Sequence, residues 1–257
     1  MFTVGPPFWQ QAAAGGDPLR AFVITLALGQ GANGGTVFDD DISPNSDLSR
    51  TGAVTTATAP APPFGASSIL FPGTLANSSL LAQPTASWIN GSPSGKTLYE
   101  GFWCWDGWIY PTSLATRVQC IGSDDFDPGA TAWNGILLIG TTGVLQLQVR
   151  NGIATAAAGT IVDNAWQHVA MTGDGAGGYN LFVDGVHKAA GTGTPYTKQG
   201  GGSWLYGEQN KNVGGFERNF IGSMFCMRWT WSDTNPLATR YPGTTSFTPP
   251  SSLADYA

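Results

Sequence analysis

The stretch Tyr179–Lys188 constrains the fold of this chain more than any other. Two short runs, Leu181-Phe-Val183 and Val186-His-Lys188, meet at Asp184-Gly185. Both turn residues tolerate the positive φ that a two-residue hairpin demands, so the pair predicts an antiparallel β-hairpin. The residues before it extend the pattern. Trp166–Thr172 and Tyr179–Val183 read as strands on either side of a glycine-rich turn, Gly173–Gly178. In Val144–Arg150, Leu145, Leu147 and Val149 alternate with Gln146, Gln148 and Arg150. That period of two buries one face and wets the other. Ile136–Ile139 precedes it across Gly140–Gly143, a second hairpin loop.

Further strands are predicted at Ala21–Leu28, Ser67–Phe71, Leu98–Tyr110, Arg117–Ile121, Arg218–Ile221 and Met224–Trp231, with loop at Gly31–Asp47. Ala57–Pro63 and Thr244–Ser252 are proline-rich and read as extended connectors. No amphipathic helix of ten residues is visible. Short strands with turn signals between them imply an all-β sandwich or barrel, and 257 residues suit one large β-domain. The expected division is an N-terminal arm (1–20), a sandwich (21–240) and a C-terminal tail (241–257). An arm as rich in Pro, Ala and Gly as Met1–Pro18 stays ordered only if something holds it.

Charge excludes some partners. Only 11% of residues are charged, against roughly 25% in ordinary globular proteins. The net charge is −6 and no Lys/Arg cluster occurs, which argues against a phosphate-tracking nucleic-acid surface. No apolar run is long enough for a membrane-spanning helix, and Met1–Arg20 lacks the pattern of a secretory leader. A surface so poor in charge fits either burial against neighbouring subunits, making a homo-oligomer, or a monomer coated with Ser, Thr and Gly.

Catalytic patterns are weak. Three glutamates occur, Glu100, Glu208 and Glu217, none with an acidic residue two places away. A paired-carboxylate hydrolase needs such neighbours on one strand face. Asp39 and Asp41 have that spacing but sit in loop. His168 reads as a packed, hydrogen-bonded imidazole and His187 as solvent-facing. The expectation is a protein that is not an enzyme. The three cysteines lie outside CxxC spacing. Buried thiols, a Cys104–Cys226 bridge and a Cys104–Cys120 bridge all stay open.

Several segments carry a family resemblance. Asn164–Gly185 (NAWQHVAMTGDGAGGYNLFVDG) resembles the W-x-H-V-A-x-T…L-F-V-D-G signature of laminin G-like, concanavalin A-type lectin/glucanase jelly rolls. Phe64–Phe71 is similar to that family's F-G-x-S-S-L-x-F strand, and Trp108–Ser113, after Asp106, to its W-V-Y-P-T-S edge. Phe220–Gly222 through Arg228 resembles F-x-G-x-I-D-x-x-R. Ala238–Tyr241 followed by Phe247–Pro250 is similar to the A-R-Y…F-T-P-P ending of bacteriophage-encoded copies. The resemblance implies an antiparallel two-sheet jelly-roll β-sandwich and a virion protein: a capsid decoration, neck, baseplate or fibre component that partners other virion proteins. Its alternative is a carbohydrate-binding lectin or receptor-binding module for host-surface glycans. Phe225 stands where the family pattern is acidic, so it is expected at a subunit interface.

Calcium, which the resemblance makes the candidate cofactor, takes carboxylate and carbonyl oxygens. Asp124, Asp125 and Asp127 share one loop and are the expected ligands; Asp39–Asp41, in another loop, could also supply them. For a sugar platform, Trp103 and Trp105 share one strand face, as do Met227, Trp229 and Trp231, and both sets read as core. Trp133, Trp204 and Tyr206 read as loop aromatics and are the expected glycan contacts.

Overall fold

The computed structural model describes residues 17–39, 41–42, 48–73, 79–82, 101–124, 135–149, 152–193, 204–208 and 218–256. Fifteen strands appear there: β1 (Val23–Ala27), β2 (Ser49–Thr51), β3 (Thr55–Ala57), β4 (Ser68–Pro72), β5 (Ser79–Ala82), β6 (Phe102–Pro111), β7 (Gln119–Asp124), β8 (Ile136–Ile139), β9 (Leu145–Val149), β10 (Gly152–Thr155), β11 (Gln167–Asp174), β12 (Gly178–Val183), β13 (Val186–Thr192), β14 (Trp204–Tyr206) and β15 (Ile221–Ser232). Among the described residues, helical structure is confined to short 3-10 turns such as Pro236–Thr239. Sheet A runs β13-β12-β11-β6-β15-β4-β3, with β1 also against β15; sheet B runs β10-β9-β8-β7-β14-β5-β2. The two sheets face each other as the expected sandwich.

The hairpins form where the turn chemistry puts them. Asp184 and Gly185 take φ of 51° and 73°, and β12 pairs with β13 across them. The β8–β9 loop closes through Gly140 N–H donating to the Val144 carbonyl at 2.8 Å. At Gly173–Gly178, Asp174 Oδ1 accepts from the amides of Ala176 and Gly178 at 2.8 and 2.9 Å. Alternation in β9 sends Leu145, Leu147 and Val149 inward and leaves Gln146 and Gln148 outward.

Tryptophans dominate the space between the sheets. Trp103 and Trp229 of sheet A meet at 5.7 Å, and Trp204 of sheet B stands edge-on to Trp229 at 5.0 Å. Burying each indole gains about 4–6 kcal/mol before entropy is charged against it. Trp103 fits because its cross-strand partner is Gly173; a Cβ there would come within 2.2 Å of the indole nitrogen.

Strand β15 contains the run expected at Met224–Trp231, while of the run expected at Arg218–Ile221 only Ile221 is strand. Its pairing with β6 slips between Phe225 and Arg228, where Cys226 has φ of 50°. This bulge shifts the inside/outside phase by one residue. Met224, Met227 and Trp229 therefore all reach the core, while Phe225 and Arg228 both face outward. The free side of β15 is shared: β4 pairs with residues 221–224 and β1 with 227–230.

The Asp17 segment and residues 241–256 form a third layer over sheet A, which the two-sheet expectation did not include. Tyr241 and Phe247 stack at 3.6 Å with 4° between their planes, above Phe182 and His168. Phe247 N–H donates to the Gly185 carbonyl at 2.9 Å. Phe225 is fully buried there in a cluster with Val23, Leu26, Cys226 and Tyr256, with Phe64 packed against it. The expectation of a subunit contact at Phe225 is thus corrected: its own chain covers it. The three cysteines are free and buried, and burial pushes each thiol pKa up.

Candidate functional site

The outer face of sheet A holds a buried ionic cluster. Asp106 on β6 lies directly opposite Arg228 on β15, and His168 comes from β11 on the other side. Arg228 donates from Nε and Nη2 to the two Asp106 oxygens at 2.9 and 2.7 Å. His168 Nε2 and the Tyr241 hydroxyl each lie 3.3 Å from Asp106 Oδ2. A second carboxylate, Asp17, accepts from Arg228 Nη1 at 3.1 Å and from Arg240 Nη1 and Nη2 at 2.9 and 2.7 Å. The Asp255 carbonyl takes a further Arg228 bond at 3.0 Å, and the guanidinium sits 4.3 Å above the Tyr256 ring.

Two carboxylates face two guanidiniums, so the cluster balances. Desolvation alone would raise the Asp106 pKa, but the Arg228 charge and the His168 contact overcome it and hold the carboxyl well below its usual range. Burial works against the Arg228 cation, yet Asp106 holds its pKa above the ordinary value. The Tyr241 and Tyr256 hydroxyls are pushed up mainly by burial. An aspartate oriented on a histidine is the layout of a general-base pair, but here the imidazole is 0% exposed and boxed by Trp108, Tyr241 and Phe247. This arrangement fastens Asp17 and residues 241–256 to sheet A.

The outer face of sheet B is where polar groups meet solvent in an ordered array. Gln148 Nε2 donates to Gln146 Oε1 at 2.6 Å, and Gln146 Nε2 donates to Thr155 Oγ1 on neighbouring β10 at 3.1 Å. This chain fixes both carboxamides. It leaves the Gln148 carbonyl, one N–H of each amide and the Thr155 hydroxyl proton without a partner among the described residues. The glutamines line a depression of about 190 Å³, open to solvent, together with Val118, Leu138, Val144 and Arg218.

The residues expected to bind sugar fare differently. Trp204 and Tyr206 are not loop aromatics: they form β14, with side chains 1% and 0% exposed in the core. Indoles and phenols packed between sheets cannot meet a glycan, so both assignments are corrected. Trp133 lies outside the described residues, as do Asp125 and Asp127. Asp124 ends β7 with its backbone paired to Trp204; its side chain lies outside the description. Among the described residues no group of three or more His, Cys, Asp and Glu is placed to hold a metal. Asp39 and Asp41 are exposed, and Asp41 Oδ2 accepts from the Leu28 amide at 3.4 Å. Gln146 and Gln148 were visible in the sequence as the wet face of an alternating strand. No aromatic neighbour within the strand marks them as a sugar platform.

Comparison with known proteins agrees with this architecture. No curated protein sequence matches the chain. Among solved structures, domain 4 of an extracellular arabinanase from Geobacillus stearothermophilus, in complex with arabinotriose, superposes with a TM-score of 0.53 at 15% identity, over 84% of this chain and 96% of that one. The binding domain of Paraclostridial Mosquitocidal Protein 1 gives 0.59 at 13%, over 87% and 52%. The binding domain of botulinum neurotoxin serotype D gives 0.57 at 10%, over 88% and 52%. The chain thus spans about half the length of those two toxin domains. At such identities the likeness is one of fold. The family model of the concanavalin A-like lectin/glucanases superfamily matches residues 89–232, more than half of the sequence, and the chain belongs to that superfamily.

Proposed function

We propose that this chain is a non-catalytic glycan-binding module whose sugar rests on the outer face of sheet B, against Gln146, Gln148 and Thr155. The observation that carries the reading is the fixed carboxamide chain across β9 and β10. A carboxamide presents a donor and an acceptor side by side, the complement of two vicinal hydroxyls. The apolar wall beside it suits the C–H face of a sugar ring. Both amides are uncharged, which favours a neutral glycan. Support also comes from the arabinanase domain of like fold, solved with arabinotriose.

Screening against neutral oligosaccharides, arabinotriose included, tests the proposal. Losing two hydrogen bonds of about 0.5–1.5 kcal/mol each should weaken binding roughly 5- to 150-fold in Gln146→Ala/Gln148→Ala, with the melting temperature unmoved. A panel without a binder, or undiminished affinity in the double variant, overturns it.

A second reading places the module in a bacteriophage virion, as a decoration, neck, baseplate or fibre component. The sparse charge favours it. The phage-like ending supports it less than the sequence implied, because Tyr241 and Phe247 pack on the chain's own sheet A. Its test is solution mass: a trimer or particle-bound protein without glycan affinity favours this role, and a glycan-binding monomer the first.

A further inference from the structure

Asp17 occupies its place in the ionic cluster as a ligand would. Its side chain is 0% exposed, yet it comes from a short segment ahead of β1, while the arginines that hold it lie 211 and 223 residues away. Oδ1 accepts from Arg240 Nη1 and the Leu19 amide, and Oδ2 from Arg240 Nη2 and Arg228 Nη1. Take Asp17 away and Asp106 still balances Arg228, but the Arg240 cation, 7% exposed, has no counter-charge in the cluster. A buried site with one surplus positive charge demands an anion.

Two further features fit a receiving site. Arg240 holds φ of 59° and ψ of −51°, a conformation costly for a residue with a Cβ, and this places its guanidinium fork against the carboxylate. Its Nε is buried with no partner among the described residues. The site is also reachable. A groove of about 330 Å³, open to solvent and bordered by Pro18, Tyr241, Pro249, Pro250, Ser251 and Asp255, runs over Asp17, Arg228 and Arg240.

We propose that Arg228 and Arg240 form a carboxylate-binding site, that Asp17 is its built-in occupant, and that an external carboxylate is accepted when the Asp17 side chain is absent. This is independent of the glycan reading, which concerns the opposite face of the sandwich. The test uses the full chain as wild type, Asp17→Ala and Asp17→Ala/Arg240→Ala, melted at pH 7 in rising sodium acetate against sodium chloride of equal ionic strength. Asp17→Ala should melt below wild type in chloride and recover by about 5 °C, saturably, in acetate. Wild type and the double variant should not respond to acetate. Should Asp17→Ala fail to fold in chloride, Asp17→Ser, whose short side chain also vacates the carboxylate position, takes the same scan. Acetate that moves all three proteins alike, moves none, or restores neither single variant overturns the proposal.

Discussion

Replacing Asp106 by asparagine tests the ionic cluster with almost no change in shape. Asp106 Oδ1 accepts one Arg228 N–H, while Oδ2 lies within reach of a second Arg228 N–H, His168 Nε2 and the Tyr241 hydroxyl. An amide turned either way must aim its own N–H₂ at one of the arginine donors. The substitution also leaves Arg228 and Arg240, both buried, facing Asp17 alone. Removing one partner of a buried ion pair costs about 3–5 kcal/mol, and for a chain of this size that lowers the melting temperature by about 6–20 °C. Removing both charges, in Asp106→Leu/Arg228→Met, leaves the Asp17–Arg240 pair intact and should lie closer to wild type than either single variant. The pH dependence has a fixed sign. The folded Asp106 carboxyl titrates below its unfolded value, so its stabilisation is complete above roughly pH 4 and fades as the pH falls toward the folded value. The gap between wild type and Asp106→Asn should therefore be constant at neutral pH and narrow in acid. Calorimetry from pH 2.5 to 8, with these pH values as about the useful range, reads both effects. A loss under about 1 kcal/mol, or a gap that widens in acid, refutes the reasoning.

Other outcomes follow from the packing. Gly185→Ala should cost about 1–2 kcal/mol for the left-handed backbone alone, and more because its Cβ would sit 1.9 Å from the Phe247 carbonyl oxygen; a lower urea midpoint with faster proteolysis of the tail is expected. Phe225→Ala should destabilise by about 3–5 kcal/mol without changing the mass seen by light scattering, since Phe225 is covered within the chain. Cys104, Cys120 and Cys226, buried and with raised pKa values, should resist a thiol reagent until urea unfolds the protein, when all three react.

Much of the fold was legible because turn chemistry and period-two alternation are local. Asp184-Gly185, the β8–β9 loop and the outward glutamines of β9 needed only neighbouring residues to be read. Short strands escaped: β2, β3 and β14 span three residues each, too few for alternation to show, and their pairing partners supply the missing information. The bulge at Cys226 escaped too, because a non-glycine residue at positive φ gives no compositional sign. It decides which way Phe225 and Arg228 face. The ionic cluster was invisible for a different reason. Asp106, His168, Arg228 and Arg240 each stood within a recognised segment, but they meet one another and Asp17 only when strands about 60 to 120 residues apart lie side by side and residues 241–256 fold over them. Trp204 and Tyr206 were misplaced because glycine-rich surroundings mimic a loop, whereas the aromatic pair itself marked a strand.

The proposal that sheet B bears the glycan while sheet A is covered by Asp17 and residues 241–256 can be tested residue by residue. Backbone amide chemical shifts should be recorded while the tightest-binding neutral oligosaccharide of the panel is titrated in. Changes centred on residues 144–149 and 152–155, with the amides of Asp106, His168 and Arg228 still, are the predicted result. Changes centred on the Asp106 cluster and the tail above it would contradict the account.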